Sequence, residues 1–266
     1  MSDYSRYQYI KVATDARVAT VTLDRPAALN AVNGELHHEL ERIWVDLGDD
    51  SDVDVIVLTG AGRAFCAGGD IKGLATGEWA GPKTTLVSPA HARRIVERML
   101  DLEQPIIGAI NGDAFGLGAT LALLCDVIIV NEQARIADTH VRVGVVAGDG
   151  GAVLWPLLIG PARAKELLMR GKPLTGSDAA RIGMVNYAVP AAEVMDKAME
   201  IARELAAGPT WAIRWTKVSV NKWLKSQVNL ILDASCAYEM LTFTTADHRE
   251  AASAFVERRK PTFKGE

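Results

Sequence analysis

His140 and Asp149, nine residues apart, are a histidine and a carboxylate of the kind that can move protons together. Imidazole titrates near neutrality, with an unperturbed pKa of roughly 6.5. A carboxylate beside it orients the ring and stabilises its charged form. Asp138, two residues before His140, is an alternative partner. Each also has an ordinary reading, His140 as a hydrogen-bonded histidine and Asp149 as the cap of the helix that follows. The backbone offers a second kind of chemistry. The run from Gly60 to Asp70, ending Ala67-Gly68-Gly69-Asp70, follows a buried strand, and its glycines let main chain approach a ligand closely. Leu117 stands at the start of a short helix, whose free N–H groups and dipole favour an anion. The pattern Gly112-x3-Gly116-x-Gly118 does not fit the dinucleotide fingerprint, and no Gly-Lys-Ser/Thr phosphate loop occurs.

The elements that must position these groups alternate between strand and helix. Arg17 to Leu23 reads as a strand, stopping at Asp24-Arg25-Pro26. Asn33 caps a helix running to about Leu47, with Leu36, Leu40, Ile43 and Leu47 at helical spacing. Strands are expected at Val53–Thr59, Ile106–Ile110 and Val127–Val130, and helices at about 89–102 and 116–124. The strands are nearly continuous apolar runs, as in a parallel sheet covered on both faces, so the class is α/β. After Pro190 the pattern turns helical over 191–207, 210–225, 228–243 and 247–257. We therefore divide the chain into a core, 1–190, and a C-terminal helical region, 191–266, that covers the active site or packs on another subunit. His37, His38, His91 and His248 have no motif around them and are expected to face solvent. Trp211, Trp215 and Trp223 are expected in the core or at a subunit interface.

Composition narrows the classes of function. Of the 266 residues, 49% are apolar, enough for a large core, and the net charge of −4 is unlike that of a nucleic-acid binder. Cys66, Cys125 and Cys236 are odd in number and widely spaced, which argues against a disulfide framework or a metal site and for a reducing compartment. Met1-Ser2-Asp3-Tyr4 begins no secretory signal. The longest apolar run, Leu121 to Val130, contains Asp126 and falls short of the ~20 residues that span a bilayer. The expectation is a cytoplasmic protein with neither membrane nor nucleic acid as partner.

Three motifs carry a resemblance. Ala64-Phe65-Cys66-Ala67-Gly68-Gly69-Asp70-Ile71-Lys72 resembles the first motif of the crotonase (enoyl-CoA hydratase/isomerase) superfamily. Pro105 to Gly112, with Ala114-Phe115-Gly116-Leu117-Gly118 and Cys125-Asp126, resembles the second. Arg249-Glu250-Ala251 through Lys260-Pro261 is similar to the family's C-terminus. The resemblance implies a spiral of ββα turns with a helical trimerisation region, assembled as a homotrimer or as a hexamer of two trimers. It implies an acyl-CoA thioester as substrate, with coenzyme A arriving as part of that substrate and no permanently bound cofactor. By the same resemblance, the N–H groups of Gly69 and Leu117 form an oxyanion hole for the thioester enolate, each donor worth about 3 kcal/mol. Leucine replaces the glycine often found at 117, but only the amide is needed. Ala64, Ala67, Asp70 and Ile71 would line adenine and pantetheine. Arg25 and Lys72 would meet phosphates, joined by Lys260 from a neighbouring subunit, although each is by type also an ordinary surface charge.

The chain departs from the hydratases of this family where their two catalytic glutamates stand. Those positions are Thr120 and His140. A threonine hydroxyl cannot act as a general base near pH 7, and hydration needs both a base for water and an acid for the α-carbon. The segment from His140 to Pro156 is similar to that of 6-oxocamphor hydrolase, an unusual branch of the family. That branch cleaves a carbon–carbon bond between ketones with a His–Asp pair at this spacing and a glutamate matching Glu239. It lacks the Ala67-Gly68-Gly69-Asp70 pattern and does not use CoA. Three functions follow: hydration or isomerisation of an enoyl-CoA with His140 as acid/base, hydrolysis of a β-dicarbonyl C–C bond by His140 and Asp149, or acyl-CoA binding without catalysis.

Overall fold

The computed structural model describes residues 3–71, 73 and 89–266. The chain opens with an antiparallel pair, β1 (Ile10–Asp15) and β2 (Val18–Leu23), joined by Ala16 and Arg17. Both linking residues have positive φ, 45° and 69°, as the two-residue turns that match strand twist require. Helix α1 (Gly34–Asp49) follows, its first turn capped by the Asn33 side chain, which accepts from the Leu36 N–H at 3.0 Å.

Three strand pairs then repeat one pattern. β3 (Val55–Gly60) leads to β4 (Ala64–Cys66), β5 (Ile106–Ile110) to β6 (Asp113–Phe115), and β7 (Val127–Asn131) to β8 (Arg135–Ala137). The first member of each pair joins a six-stranded sheet of order β1-β2-β3-β5-β7-β10, parallel from β2 onward, with β10 at Tyr187–Val189. The second joins a four-stranded sheet of order β4-β6-β8-β9, in which β4, β6 and β8 are parallel and β9 (Leu174–Thr175) closes antiparallel. Each turn of the spiral thus deposits one short strand beside the last, which brings the segments after β4, β6 and β8 to one end of the smaller sheet.

Helices fill both faces of the larger sheet, as its wholly buried strands β3 and β5 demand. Val194, Ala198 and Ala202 of α7 (Val194–Ala206) pack on Val55, Val57, Ile107 and Ile129. The opposite face meets α1, α2 (Pro89–Asp101), α3 (Leu117–Leu123) and α4 (Gly151–Ile159) in the main core. Two short helices, α5 (Pro161–Arg170) and α6 (Gly176–Arg181), lie on either side of β9 in the chain.

The C-terminal third corrects two expectations. The helices expected at 210–225 and 228–243 are one 33-residue helix, α8 (Thr210–Thr242), followed by α9 (Ala246–Val256). Ser226 and Gln227, at the expected break, include neither Gly nor Pro, and a buried stripe of Asn221, Val228, Leu232 and Ser235 runs straight through it. Trp211, Trp215 and Trp223 are each more than half exposed, so they are not core. Polar groups face inward in their stead. Lys217 meets Asp126 and the Gln104 carbonyl, both at 2.8 Å, and Asn221 donates to the Leu100 carbonyl at 2.9 Å. Arg214 meets Asp54 at 2.8 Å. These paired contacts offset the cost of burying the polar ends and fix which face of α8 turns in. Among the described residues no helix is long and apolar enough to cross a membrane.

One side chain organises the turn that leads into the glycine loop. Asn30 is fully buried. Its Nδ2 donates to the carbonyls of Ala61 and Ala64 at 2.9 Å and approaches that of Phe65 at 3.1 Å, while its Oδ1 accepts from the Arg25 N–H at 2.9 Å. Replacing it by alanine strands these groups and keeps a β-carbon at φ 57°. We expect Asn30→Ala to cost roughly 2–3 kcal/mol in urea denaturation. A loss below about 0.5 kcal/mol would show that the carbonyls find other partners.

Candidate active site

The glycine loop is held open by the segment before α1. The Val32 N–H donates to the Gly68 carbonyl at 2.7 Å, the Asp70 N–H to the Val32 carbonyl at 2.9 Å, and the Ala67 N–H to the Leu29 carbonyl at 3.0 Å. Gly69 lies between these contacts. Gly68, at φ 86°, runs so close to the next loop that a β-carbon there would lie 2.6 Å from the Phe115 carbonyl oxygen. That approach sets the loop after β4 against the loop after β6. Leu117 is the first residue of α3, just past Gly116. Among the described residues neither the Gly69 nor the Leu117 N–H has a hydrogen-bond partner.

His140 arrives from the third loop. It opens a single 3-10 turn, His140–Val143, after β8, and its Cε1 lies 3.5 Å from where a β-carbon on Gly116 would be. Asp138 and Asp149 both hold it, so the alternatives open in the sequence are not exclusive. Asp138 Oδ1 lies 2.7 Å from Nδ1, and Asp149 Oδ2 lies 3.4 Å from Nε2. Thr120, on α3, donates its hydroxyl to Asp149 Oδ1 at 3.2 Å. Asp149 does not cap α4, whose N-cap Gly150 has no side-chain cap bond. Glu239 comes from α8, with Oε1 3.9 Å from His140 Nε2. The loop bearing Asp149 is tied to the same helix, since the Ser235 hydroxyl donates to the Gly148 carbonyl at 2.8 Å.

The four ionisable side chains are nearly shut off from solvent, with exposures of 14% for His140, 1% for Asp138, 8% for Asp149 and 13% for Glu239. Burial opposes the imidazolium, but the charges of Asp138 and Asp149 and their hydrogen bonds prevail and hold the His140 pKa well above its ordinary value. Burial likewise opposes the Asp149 carboxylate, yet His140 and the Thr120 hydroxyl keep its pKa below the usual range. Glu239 goes the other way. Burial first, and then the Asp149 charge, push it up to about 8 against the pull of His140. These directions favour a proton on His140 and on Glu239 and a carboxylate at Asp149. Asp138, His140 and Asp149 bring one potential metal-ligating atom each within 4.8 Å of one another, as do His38, Glu41 and His91 on α1 and α2.

The residues suggested for CoA are less uniform. Arg25 is pinned rather than free: it pairs with Asp70 at 3.3 Å, donates to the Ala31 carbonyl and lies 5.0 Å from the Tyr9 ring centre. Ala64 is buried in β4, while Ala67, Asp70 and Ile71 are half-buried. Lys260 is exposed on the segment after α9, and Lys72 lies outside the described residues. Of the four histidines expected to face solvent, only His38 does. His37 is buried beside Glu41, 3.3 Å away, and His91 meets the same carboxylate at 2.7 Å. His248 binds the Val143 carbonyl at 2.7 Å, which buttresses the turn bearing His140. A buried glutamate on α1 draws in the first two, and no periodicity signals the third. Asn30 was also invisible, because nothing in Leu29-Asn30-Ala31 marks a carbonyl-binding amide.

The enoyl-CoA hydratase/isomerase family model matches residues 13–266. A probable enoyl-CoA hydratase from Mycobacterium tuberculosis is 33% identical over 257 residues, 97% of this chain and 98% of that protein. An enoyl-CoA hydratase/isomerase of known structure from Mycobacterium paratuberculosis is similar at TM-score 0.87 and 36% identity, over 92% of this chain and 97% of its own. A β-diketone hydrolase from the cyanobacterium Anabaena, solved with (S)-3-oxocyclohexyl acetic acid bound, is similar at TM-score 0.83 and 30% identity, over 91% of this chain and 96% of its own.

The raised Glu239 pKa has a consequence for stability. The folded state keeps a proton there that the unfolded chain releases near the ordinary value of 4.5. The stability it contributes is full below that pH and is lost as pH rises toward about 8. Urea denaturation of wild type and Glu239→Gln at pH 5 and pH 8 should show the variant gaining on wild type as pH rises. A pH-independent difference would mean that Glu239 is ionised in the folded protein.

Proposed function

The chain belongs to the enoyl-CoA hydratase/isomerase family and has the crotonase fold, and from that premise we propose that it is an acyl-CoA enzyme adding water across the double bond of an enoyl thioester. The observation that carries this reading is the convergence of two carboxyl groups on His140 Nε2, Asp149 at 3.4 Å and Glu239 at 3.9 Å, with the pKa of the first lowered and that of the second raised. A base and an acid are what hydration requires. The family positions that usually supply them are Thr120 and His140, so Asp149 and Glu239 take over that work.

In this mechanism Asp149 takes a proton from water as its oxygen bonds to the β-carbon. The electrons of the double bond pass to the thioester, whose oxygen becomes an enolate held by the N–H groups of Gly69 and Leu117. The free state of both amides supports that assignment. Glu239 then gives its proton to the α-carbon. The cycle leaves Asp149 protonated and Glu239 ionised, and His140, within 3.4 and 3.9 Å of the two, is the group through which that proton returns. Thr120 orients Asp149.

Coenzyme A enters with the substrate along residues 64–72. By the family resemblance Ala64, Ala67, Asp70 and Ile71 belong to its bed and a neighbouring subunit's copy of Lys260 to its phosphates; Arg25, already paired with Asp70, would have to leave that partner to join them, and Lys72 lies outside the described residues. The exposed tryptophans of α8 suit residues 191–266 to subunit packing, in a homotrimer or a dimer of trimers, as well as to covering the site. Three buried free cysteines accord with a cytoplasmic enzyme.

A second reading, hydrolysis of a β-dicarbonyl C–C bond, is favoured by the likeness to the β-diketone hydrolase. There Asp149-activated water attacks the carbonyl carbon, the two amides hold the tetrahedral oxyanion, and Glu239 protonates the carbanion released. Crotonyl-CoA hydration, followed by loss of enoyl absorbance, tests the first reading against a cyclic β-diketone assayed in parallel. Turnover of the thioester is expected, and Asp149→Asn and Glu239→Gln should each lower kcat by about 100-fold or more. CoA affinity should stay within about threefold, because neither residue contributes uniform binding. Cleavage of the diketone alone would replace the first reading with the second, and tight CoA binding without turnover of either would mark a binding protein.

A further inference from the structure

We infer that Asp138 is a positioning residue, clamping His140 from the Nδ1 side so that, of the two aspartates on the ring, only Asp149 takes part in proton transfer. The inference rests on the reading that His140 and Asp149 are catalytic, and it divides labour between two carboxylates that composition alone would treat as equals.

Three features separate them. The first is how each is placed. Asp138 directly follows β8, whose pairing of Ile136 with Ala114 and Ala137 with Phe115 sets its position to the sheet. Asp149 stands in a loop between the 3-10 turn and α4. The second is bonding. Asp138 Oδ1 accepts twice from His140, from the backbone N–H at 3.2 Å and from Nδ1 at 2.7 Å, closing a small ring that fixes the imidazole relative to its own main chain. Asp149 makes one longer contact of 3.4 Å to Nε2 and shares its other oxygen with Thr120.

The third is access. The Asp138 side chain is 1% exposed, and its Oδ2 is walled in by main chain: a β-carbon on Gly151 would lie 2.1 Å from it. Among the described residues that oxygen has no hydrogen-bond partner. An oxygen so enclosed cannot reach a substrate, but its charge acts undiminished on the ring beside it. The charged and titratable groups around His140 are then Asp138 beside its own turn, Asp149 from the glycine-rich loop and Glu239 from α8, with His37 of α1 acting on Asp149 at longer range. Of the three carboxyl groups, Asp138 is the most enclosed.

Imidazole NMR titration reads this directly. The chain has five histidines, and the His140 signal is the one lost in His140→Gln. In wild type His140 should stay protonated well beyond the ordinary midpoint near 6.5. In Asp138→Asn its midpoint should fall by about 1 pH unit or more. In the assay the same variant should lose at least about 10-fold in kcat with KM within about twofold, since a mis-set ring impairs chemistry before binding. Its pH–rate limb should move down with the midpoint. An unchanged titration and kcat would overturn the inference, as would a wild-type His140 midpoint at or below about 6.5. A wild-type midpoint at or below about 6.5 overturns the inference even if Asp138→Asn fails to fold, which circular dichroism reports. Absence of crotonyl-CoA turnover alongside a shifted His140 midpoint would sink the hydratase reading and leave this one standing.

Discussion

The parallel pairing of three very short strands underlies the site. β4, β6 and β8 have three residues each, too few to be stable alone. Each is carried into place by the longer strand before it in the larger sheet. Because β3, β5 and β7 lie side by side in that sheet, their short followers also lie side by side, and the chain leaves all three at the same end. Gly69, Leu117 and His140 follow within a few residues of those exits. The smaller sheet is therefore a registration device. It sets backbone amides and an imidazole against one another with main-chain hydrogen bonds, which hold geometry more tightly than surface side-chain contacts.

Upon that frame the charges are arranged at a cost. A histidine and three carboxyl groups are nearly buried, and a charge on any of them would be strongly disfavoured alone. Together they satisfy one another, with the Thr120 hydroxyl as a further donor. The one member left without an opposite charge of its own is Glu239, and it responds by keeping its proton. A single helix supplies that residue while being fastened to the core far along its length by Arg214, Lys217 and Asn221. The fastening of α8 and the placing of the acid are thus two ends of one rigid element.

Much of the fold could be read in advance because its signals are local. Val55–Gly60 and Ile106–Ile110 are apolar runs that only a sheet covered on both faces can absorb, and Asn33 announces α1 by a cap whose bond is made as expected. The short strands could not be read, since three residues carry no period and their pairing partners lie some fifty or twenty residues away. α8 misled for a different reason. Its inward face carries Lys217 and Asn221 and its outward face tryptophans, the reverse of what hydrophobicity implies, because the inward groups find buried partners. In the site, His140 and Asp149 were singled out by likeness to the family's catalytic positions, whereas their relation to Asp138 needed the ring's orientation. Glu239, ninety-nine residues beyond His140, was visible only through likeness to another protein.

The divided origin of the site also bears on how such proteins diversify. The anion-stabilising half proposed for it is made of peptide N–H groups, which every residue but proline possesses, so leucine at 117 is compatible with that role. The proton-handling half proposed for it is made of side chains, and there Thr120 and His140 stand where the resemblance to the family's hydratases leads one to expect glutamates, with Glu239 brought in from another helix. Descent can rewrite the second half without touching the first. A lineage built this way inherits its intermediate and remains free to change its reaction.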